Sequence, residues 1–301
     1  YKLAAQCGAN TLAAQACRLP GDTDSAAQWV ARQMNLAGEA GLLRPHVPVI
    51  VTGLHYKDLP AAQALATAPW PELIAQGPEE SGPKDALRCK RLRQAANARG
   101  YRLSTTTTDY YVEQLAPAAD IVIWQAQSAS IHNIARCRDL GAERWTFHSE
   151  LTNQQNAPLN RYAWGAHAYT LQARGNLIWA FADVQGDVVY GQCAETPDGP
   201  QTTPALEGLR EGTVDYRALQ ALAATVGEDA VVWIARTLVG VRLAFWPDGY
   251  HPSGYHVTDN YRDEQMMRGA QTPHIDMDRV RAQALQWWEW EALRQLREGQ
   301  A

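Results

Sequence analysis

A chain of 301 residues, 46% of them hydrophobic, can bury one barrel-sized core or two smaller ones, which excludes disorder as its general state. Its net charge of −5 gives no overall basic field, so neither nucleic acid nor a membrane is an expected partner. The five cysteines, Cys7, Cys17, Cys89, Cys137 and Cys193, are widely spaced and never form Cys-x-x-Cys, so buried thiols are expected and no zinc site or other cofactor is indicated.

Tyr1 to Cys7 reads as the end of a helix closed by Gly8, followed by a strand from Ala9 to Cys17. The first residues lack the layout of a signal peptide, and no apolar run approaches the roughly 18 residues of a membrane span. Because the chain starts inside a helix, sequence upstream of Tyr1 is expected, and a secreted or periplasmic address would need its signal there. Asp24 or Ser25 caps a helix through Trp29, Met34 and Leu36 to Gly41, and His46 to Leu54 is an apolar strand whose exit carries His55, Tyr56 and Lys57.

Leu73-Ile74-Ala75 is a short buried strand that ends at Gly77-Pro78 and delivers two adjacent carboxylates, Glu79 and Glu80. Ser81-Gly82-Pro83 opens a helix over Lys84 to Ala98 with Leu87, Leu92 and Ala95 as its apolar positions, stopped by Gly100. Strands follow over Tyr101–Thr107, Ala119–Gln125, Glu143–His148 and Asn176–Asp183, with helices over Asp109–Leu115, Ile131–Leu140 and Asn160–Arg174 between them.

Seven strands, each followed by a helix at a period of about 25 to 35 residues, predict a (β/α)₈ TIM-type barrel that lacks its first strand in this chain. The Gly-x-Gly-x-x-Gly turn of a dinucleotide-binding sheet is absent, as are a Walker loop, a Gly-x-Ser-x-Gly elbow and a His-Glu-x-x-His helix. The barrel is predicted to span residues 1–226. Thr203 to Val226 is its long closing helix, and residues 227–301 form a helical extension. That extension has helices over Asp229–Leu243 and Ile275–Leu296, separated by a loop over Ala244–Pro273. Trp287, Trp288 and Trp290 on the last helix read as a docking face rather than a sugar platform.

A barrel gathers its strand ends at one face, here Glu79, Glu80, His55, Tyr56, Trp124, His148, Glu150, Trp179 and Asp183. Rings that stack on sugar C–H surfaces and carboxylates that handle a glycosidic oxygen suit a carbohydrate substrate. Each residue has a plainer reading. Adjacent acids complement a helix N-terminus, Trp124 and Trp179 fill a core, and His148 satisfies a local hydrogen bond. Neighbouring carboxylates cannot face each other across a sugar. They do suit substrate assistance, where the sugar's 2-acetamido oxygen attacks, one carboxylate orients the acetamido nitrogen and the next serves as the acid.

Gly77-Pro78-Glu79-Glu80-Ser81 resembles the strand-end Asp-Glu-Pro motif of the β-N-acetylgalactosaminidase family of glycoside hydrolases, family 123. Thr203-Pro204 through Leu209-Arg210-Glu211-Gly212 to Asp215-Tyr216 is similar to that family's C-terminal segment. Arg161, Trp164 and Gly175 to Trp179 resemble its Arg, Trp and Gly-x-x-x-Trp pattern in the same order. The resemblance covers roughly residues 9–226 and implies that Glu79 supports the acetamido group and Glu80 is the general acid. Glu79 stands where the family has Asp, and Ser81 where it has Pro. Arg210, Asp215 and Tyr216 are expected to be structural, with an Arg210 to Asp215 contact on the helix. The expected function is hydrolysis of a 2-acetamido sugar. The alternatives are a conventional glycosidase pairing Glu80 with Glu150 or Asp183, and a carbohydrate-binding barrel without catalysis.

Overall fold

The computed structural model describes residues 1–15, 24–107, 111–125, 136–148, 157–178, 182–185, 188–228 and Gln286. The chain divides into two compact units, one of Tyr1–Ala126 with Asn133–Phe147 and one of Gln127–His132 with His148–Ala301. The helices expected over 229–243 and 275–296, the loop between them and the three tryptophans lie outside the described residues.

The first unit alternates strands with helices. Helix α1 (Lys2–Gln6) precedes β1 (Ala13–Gln15), α2 (Ala26–Glu39) precedes β2 (Val49–Thr52), and α3 (Leu59–Gln63) precedes β3 (Leu73–Gln76). A 3₁₀ turn (Pro83–Asp85) leads into α4 (Ala86–Asn97), then β4 (Arg102–Thr107), α5 (Val112–Leu115), β5 (Ile121–Gln125), a helical turn over residues 136–139 and β6 (Glu143–His148). Local chemistry sets the boundaries. Ser25 caps α2 in a reciprocal box with Gln28, and Gly41, Gly100 and Gly141 take positive φ where helices stop.

Each neighbouring pair from β1 to β6 is parallel, and these strands follow one another in sequence order. A doubly wound sheet reverses its order at a switch point, whereas a sheet whose order equals its sequence is that of a barrel. The fold is a partial (β/α) TIM-type barrel, as the strand rhythm predicts.

Register separates the two faces of the sheet. Ala14, Val51, Ala75 and Leu103 stand opposite one another and pack with Val30 and Met34 of α2, Leu59 and Ala62 of α3 and Ala96 of α4. Alternation puts Ile50, Ile74, Gln76, Arg102, Ser104, Thr106, Ile121, Ile123, Glu143 and Trp145 on the other face. At the strand-start edge of that inner face Arg102 bridges Glu72 (2.6 Å) and Glu143 (2.7 Å), and Trp145 Nε1 donates to Glu143 (2.8 Å). Helix α4 departs from expectation in one respect. Leu87 is 59% exposed, and small residues, Cys89 and Ala96, are the buried ones. Helical phase turns Cys89, Leu92 and Ala96 toward the strands and leaves Leu87 on the outer side.

In the second unit, α6 (Ala157–Tyr162) continues through a π-helical segment (Ala163–His167) into α7 (Ala168–Thr170), before β7 (Gly175–Ile178). Of the strand expected over Asn176–Asp183, β7 holds Asn176 to Ile178, residues 179–181 lie outside the described residues, and Asp183 lies in β8 (Ala182–Gln185), antiparallel to β9 (Val188–Gly191) with Asp183 opposite Tyr190. A second antiparallel hairpin joins β10 (Cys193–Thr196) to β11 (Gly199–Thr202). Thr203 then caps α8 (Pro204–Val226), its hydroxyl accepting from Leu206 N and donating to the Gln192 carbonyl.

Helix α8 packs along a close seam. A Cβ at Gly208 would lie 2.2 Å from the Ala157 carbonyl oxygen, and one at Gly212 would lie 2.5 Å from that of Arg161. Gly165, in the π-helical segment, meets Gly212 at the same seam. Asp215 is buried and takes Arg161, 54 residues away, through Nε (2.6 Å) and Nη2 (3.3 Å). Arg210 instead pairs with Glu207 and Glu211, so the expected Arg210 to Asp215 contact is replaced by this longer-range one. Tyr216 donates to the Ala173 carbonyl (3.1 Å) and meets the Tyr169 ring edge-on.

Candidate functional site

The Glu79–Glu80 turn leaves the C-terminal end of β3 and is fastened to β4. Gly77 N donates to the Ser104 carbonyl (2.6 Å), so close that a Cβ at Gly77 would sit 2.8 Å from that oxygen. Glu80 N donates to Thr106 Oγ1 (2.9 Å), Ser81 N to the Thr106 carbonyl (2.8 Å), and Thr107 Oγ1 to the Ser81 carbonyl (3.0 Å). On the helix side, Ser81 Oγ, Thr105 Oγ1 and the Pro78 carbonyl oxygen lie 2.8 to 3.0 Å from one another. The Cys89 thiol of α4 lies beside them at 3.8 to 3.9 Å. Every hydroxyl of the run Ser104-Thr105-Thr106-Thr107 takes a hydrogen bond in this region, since Ser104 Oγ also reaches the Ala75 carbonyl. Buried polar groups have to be matched, and here the matching fixes a loop.

The turn straddles β4. Ser81 drops to the buried, helix side, while both carboxylates are left exposed. Glu79 Oε1 accepts from Gln76 Nε2 (2.7 Å), and Gln76 belongs to the inner face of the sheet. Glu80 has φ +46°, a left-handed conformation that costs a non-glycine residue roughly 1–2 kcal/mol and that clusters at functional sites. The hydrogen bonds on both sides of Glu80 hold it there. Ser81 N–H is a donor that a proline would lack, and its hydroxyl gives the turn a second hold on the helix side.

The other sequence-predicted residues of the first unit fall in different places. Tyr56 is buried in the helix-side core with its ring 5.4 Å from the Arg99 guanidinium, beyond the end of α4 rather than at the turn that precedes it. His55 is exposed, stacks at 4.3 Å on Tyr56 and accepts from Lys57 N, so it stays with Tyr56. Trp124 is wholly buried. Its pairing with Thr107 puts it on the helix side of β5, where it adjoins Cys137 and fills the core. His148 is the last residue of β6, and Asp183 sits in the β8 hairpin. Glu150 and Trp179 lie outside the described residues. The structure therefore joins Glu79 and Glu80 with residues that sequence reasoning missed: Gln76, Thr105, Thr106 and Ser81. The available signal was polarity at the end of β3 and along β4, where a barrel strand is otherwise apolar.

Elsewhere, burial pushes the Cys137 thiol up to about 11, opposed by Arg144 and by the neighbouring Trp124 indole, and pushes Tyr169 up to about 12, aided by Glu228 and Tyr216. Cys7, Cys89, Cys137 and Cys193 are buried. Among the described residues no group of three or more His, Cys, Asp or Glu is placed to hold a metal ion, and no helix is long and apolar enough to cross a membrane. Compared with known protein families and with curated proteins, the chain matches none.

Proposed function

We propose that this barrel is a glycoside hydrolase acting on a 2-acetamido sugar, akin to the family 123 β-N-acetylgalactosaminidases. The observation that carries the reading is the pair of unlike carboxylates on one pinned turn. Glu79 is held by Gln76, as suits a group that orients the acetamido nitrogen. Glu80 is exposed and held only through its backbone, as suits a proton carrier. Glu80 protonates the leaving glycosidic oxygen while the acetamido carbonyl oxygen attacks the anomeric carbon. It then takes a proton from the water that opens the cyclic intermediate, and the anomeric configuration is retained.

The test is hydrolysis of matched chromogenic β-galactosides bearing a 2-acetamido or a 2-hydroxyl group. Turnover of the acetamido substrate alone is expected, with loss in Glu79→Gln on any leaving group. Loss in Glu80→Gln should be partly relieved by a leaving group acidic enough to need no protonation. Turnover of the 2-hydroxyl substrate at a comparable rate would move the nucleophile to another carboxylate and end the proposal.

A further inference from the structure

In a chain of net charge −5, residues 84–99 carry six basic side chains and a single acidic one. Arg93 is committed to Asp120 (2.7 Å) and Arg99 lies over Tyr56, but Lys84, Arg88, Lys90 and Arg91 are exposed. Among the described residues none of these four has a carboxylate in ion-pair range. Helical spacing gathers them. Lys84, Lys90 and Arg91 stand at three residues before, three after and four after Leu87, which is 59% exposed, with Arg88 beside it. The ridge starts at Lys84, four residues beyond Glu80, and descends the outer side of α4 for roughly 10 Å at the 1.5 Å rise of a helix.

Burying none of its charge in the fold, a line of four cations around one apolar side chain is complementary to a linear polyanion. We propose that α4 binds the anionic chain of an acidic polysaccharide, bearing sulfate or carboxylate groups, whose 2-acetamido residues are presented to Glu79 and Glu80. The substrate class rests on the hydrolase reading above; the binding ridge does not. A lipid surface would need a wide apolar and cationic face, and the outer side of α4 offers Leu87 alone among exposed large hydrophobics. A nucleic acid strand would need aromatic platforms for its bases, and none stands among residues 84–99. A sulfated or carboxylated sugar chain needs only the spaced cations and a small apolar contact for ring C–H faces.

The experiment measures binding of the full chain to chondroitin sulfate and to uncharged dextran at low and high salt. It uses wild type, Glu80→Gln, and a variant carrying Lys84→Gln, Arg88→Gln, Lys90→Gln and Arg91→Gln. Wild type and Glu80→Gln should bind the sulfated chain alike, salt should weaken that binding, and the fourfold variant should bind it on the order of tenfold or more weakly with an unchanged circular dichroism spectrum. Equal binding by the fourfold variant, no binding by wild type, or tighter binding to phosphatidylserine vesicles or single-stranded DNA than to the polysaccharide overturns the proposal. Binding by Glu80→Gln and wild type without hydrolysis by either leaves the ridge standing and removes the hydrolase reading. Hydrolysis with no binding at the ridge does the reverse.

Discussion

Replacing Gly208 by Ala sets two effects of opposite sign against each other. Helix propensity favours Ala over Gly in a helix interior by about 1 kcal/mol. The new methyl group, however, would lie 2.2 Å from the Ala157 carbonyl oxygen and 2.8 Å from Asn160 Cβ, where 3.4 Å begins ordinary contact. α6 must retreat by roughly 1 Å, and the same movement loosens the Gly212 and Gly165 contacts one turn along. Overpacking of this kind costs roughly 1–3 kcal/mol, and the backbone obstacle here argues for the upper end, so the net expectation is a loss of about 2 kcal/mol. In urea unfolding followed by circular dichroism, that corresponds to a midpoint about 0.7 M lower for a slope of about 3 kcal/mol/M. Gln220→Ala, at an exposed position of the same helix, should stay within about 0.5 kcal/mol of wild type. Gly208→Ala combined with Gly212→Ala should cost less than the two separately, because one separation of the helices relieves both. A midpoint for Gly208→Ala equal to or above wild type would refute the seam.

Arg161→Met should destabilise by roughly 3–5 kcal/mol, because it takes the guanidinium away from the buried Asp215 carboxylate; a loss under about 1 kcal/mol in urea melts would mean the pair is not desolvated as described. Ser81→Pro should cost about 2 kcal/mol and lower any hydrolysis. It removes the N–H that reaches Thr106 and disfavours the backbone of Glu80, so equal or greater stability would count against the β4 anchoring. Cys137 and Tyr169 hold their protons more tightly in the fold than in the open chain. Their contribution is thus complete below pH 9 and is lost as pH rises, from about 9 to 11 for the thiol and from about 10 to 12 for the phenol. Tyr169→Phe should flatten the fall in urea midpoint above pH 10, and an unaltered slope would contradict the assignment.

The barrel was legible because its strands are short apolar runs and its helices stop at glycines. Both signals are local, and both held at β2, β3, β5 and β6. What escaped was set by distance or by backbone. NLIWAFAD reads as one strand, yet its last residue, Asp183, belongs to β8 and pairs with Tyr190 in an antiparallel hairpin, a partner that strand periodicity does not reveal. Asp215 finds its cation on another helix, where helical spacing could not point. Leu87 counted as core because it is apolar, whereas helical phase gave the inward positions to Cys89 and Ala96. At the site the carboxylates were evident from their placement after β3. The left-handed φ of Glu80 and the hydroxyls of β4 that impose it have no sequence period.

The attachment of the turn through its backbone and through Ser81 bears on how this chain can change. None of the hydrogen bonds from Ser104, Thr105, Thr106 and Thr107 uses the carboxylate of Glu79 or Glu80. The socket is a property of the strand, and the groups it displays are removable fittings. Side chains at 79 and 80 can be exchanged, for a different reach or a different charge, with little penalty to folding. Any drift in Ser81 or the threonines would instead misplace whatever was mounted there. A barrel built this way can acquire or shed an activity by two substitutions while its architecture stays intact.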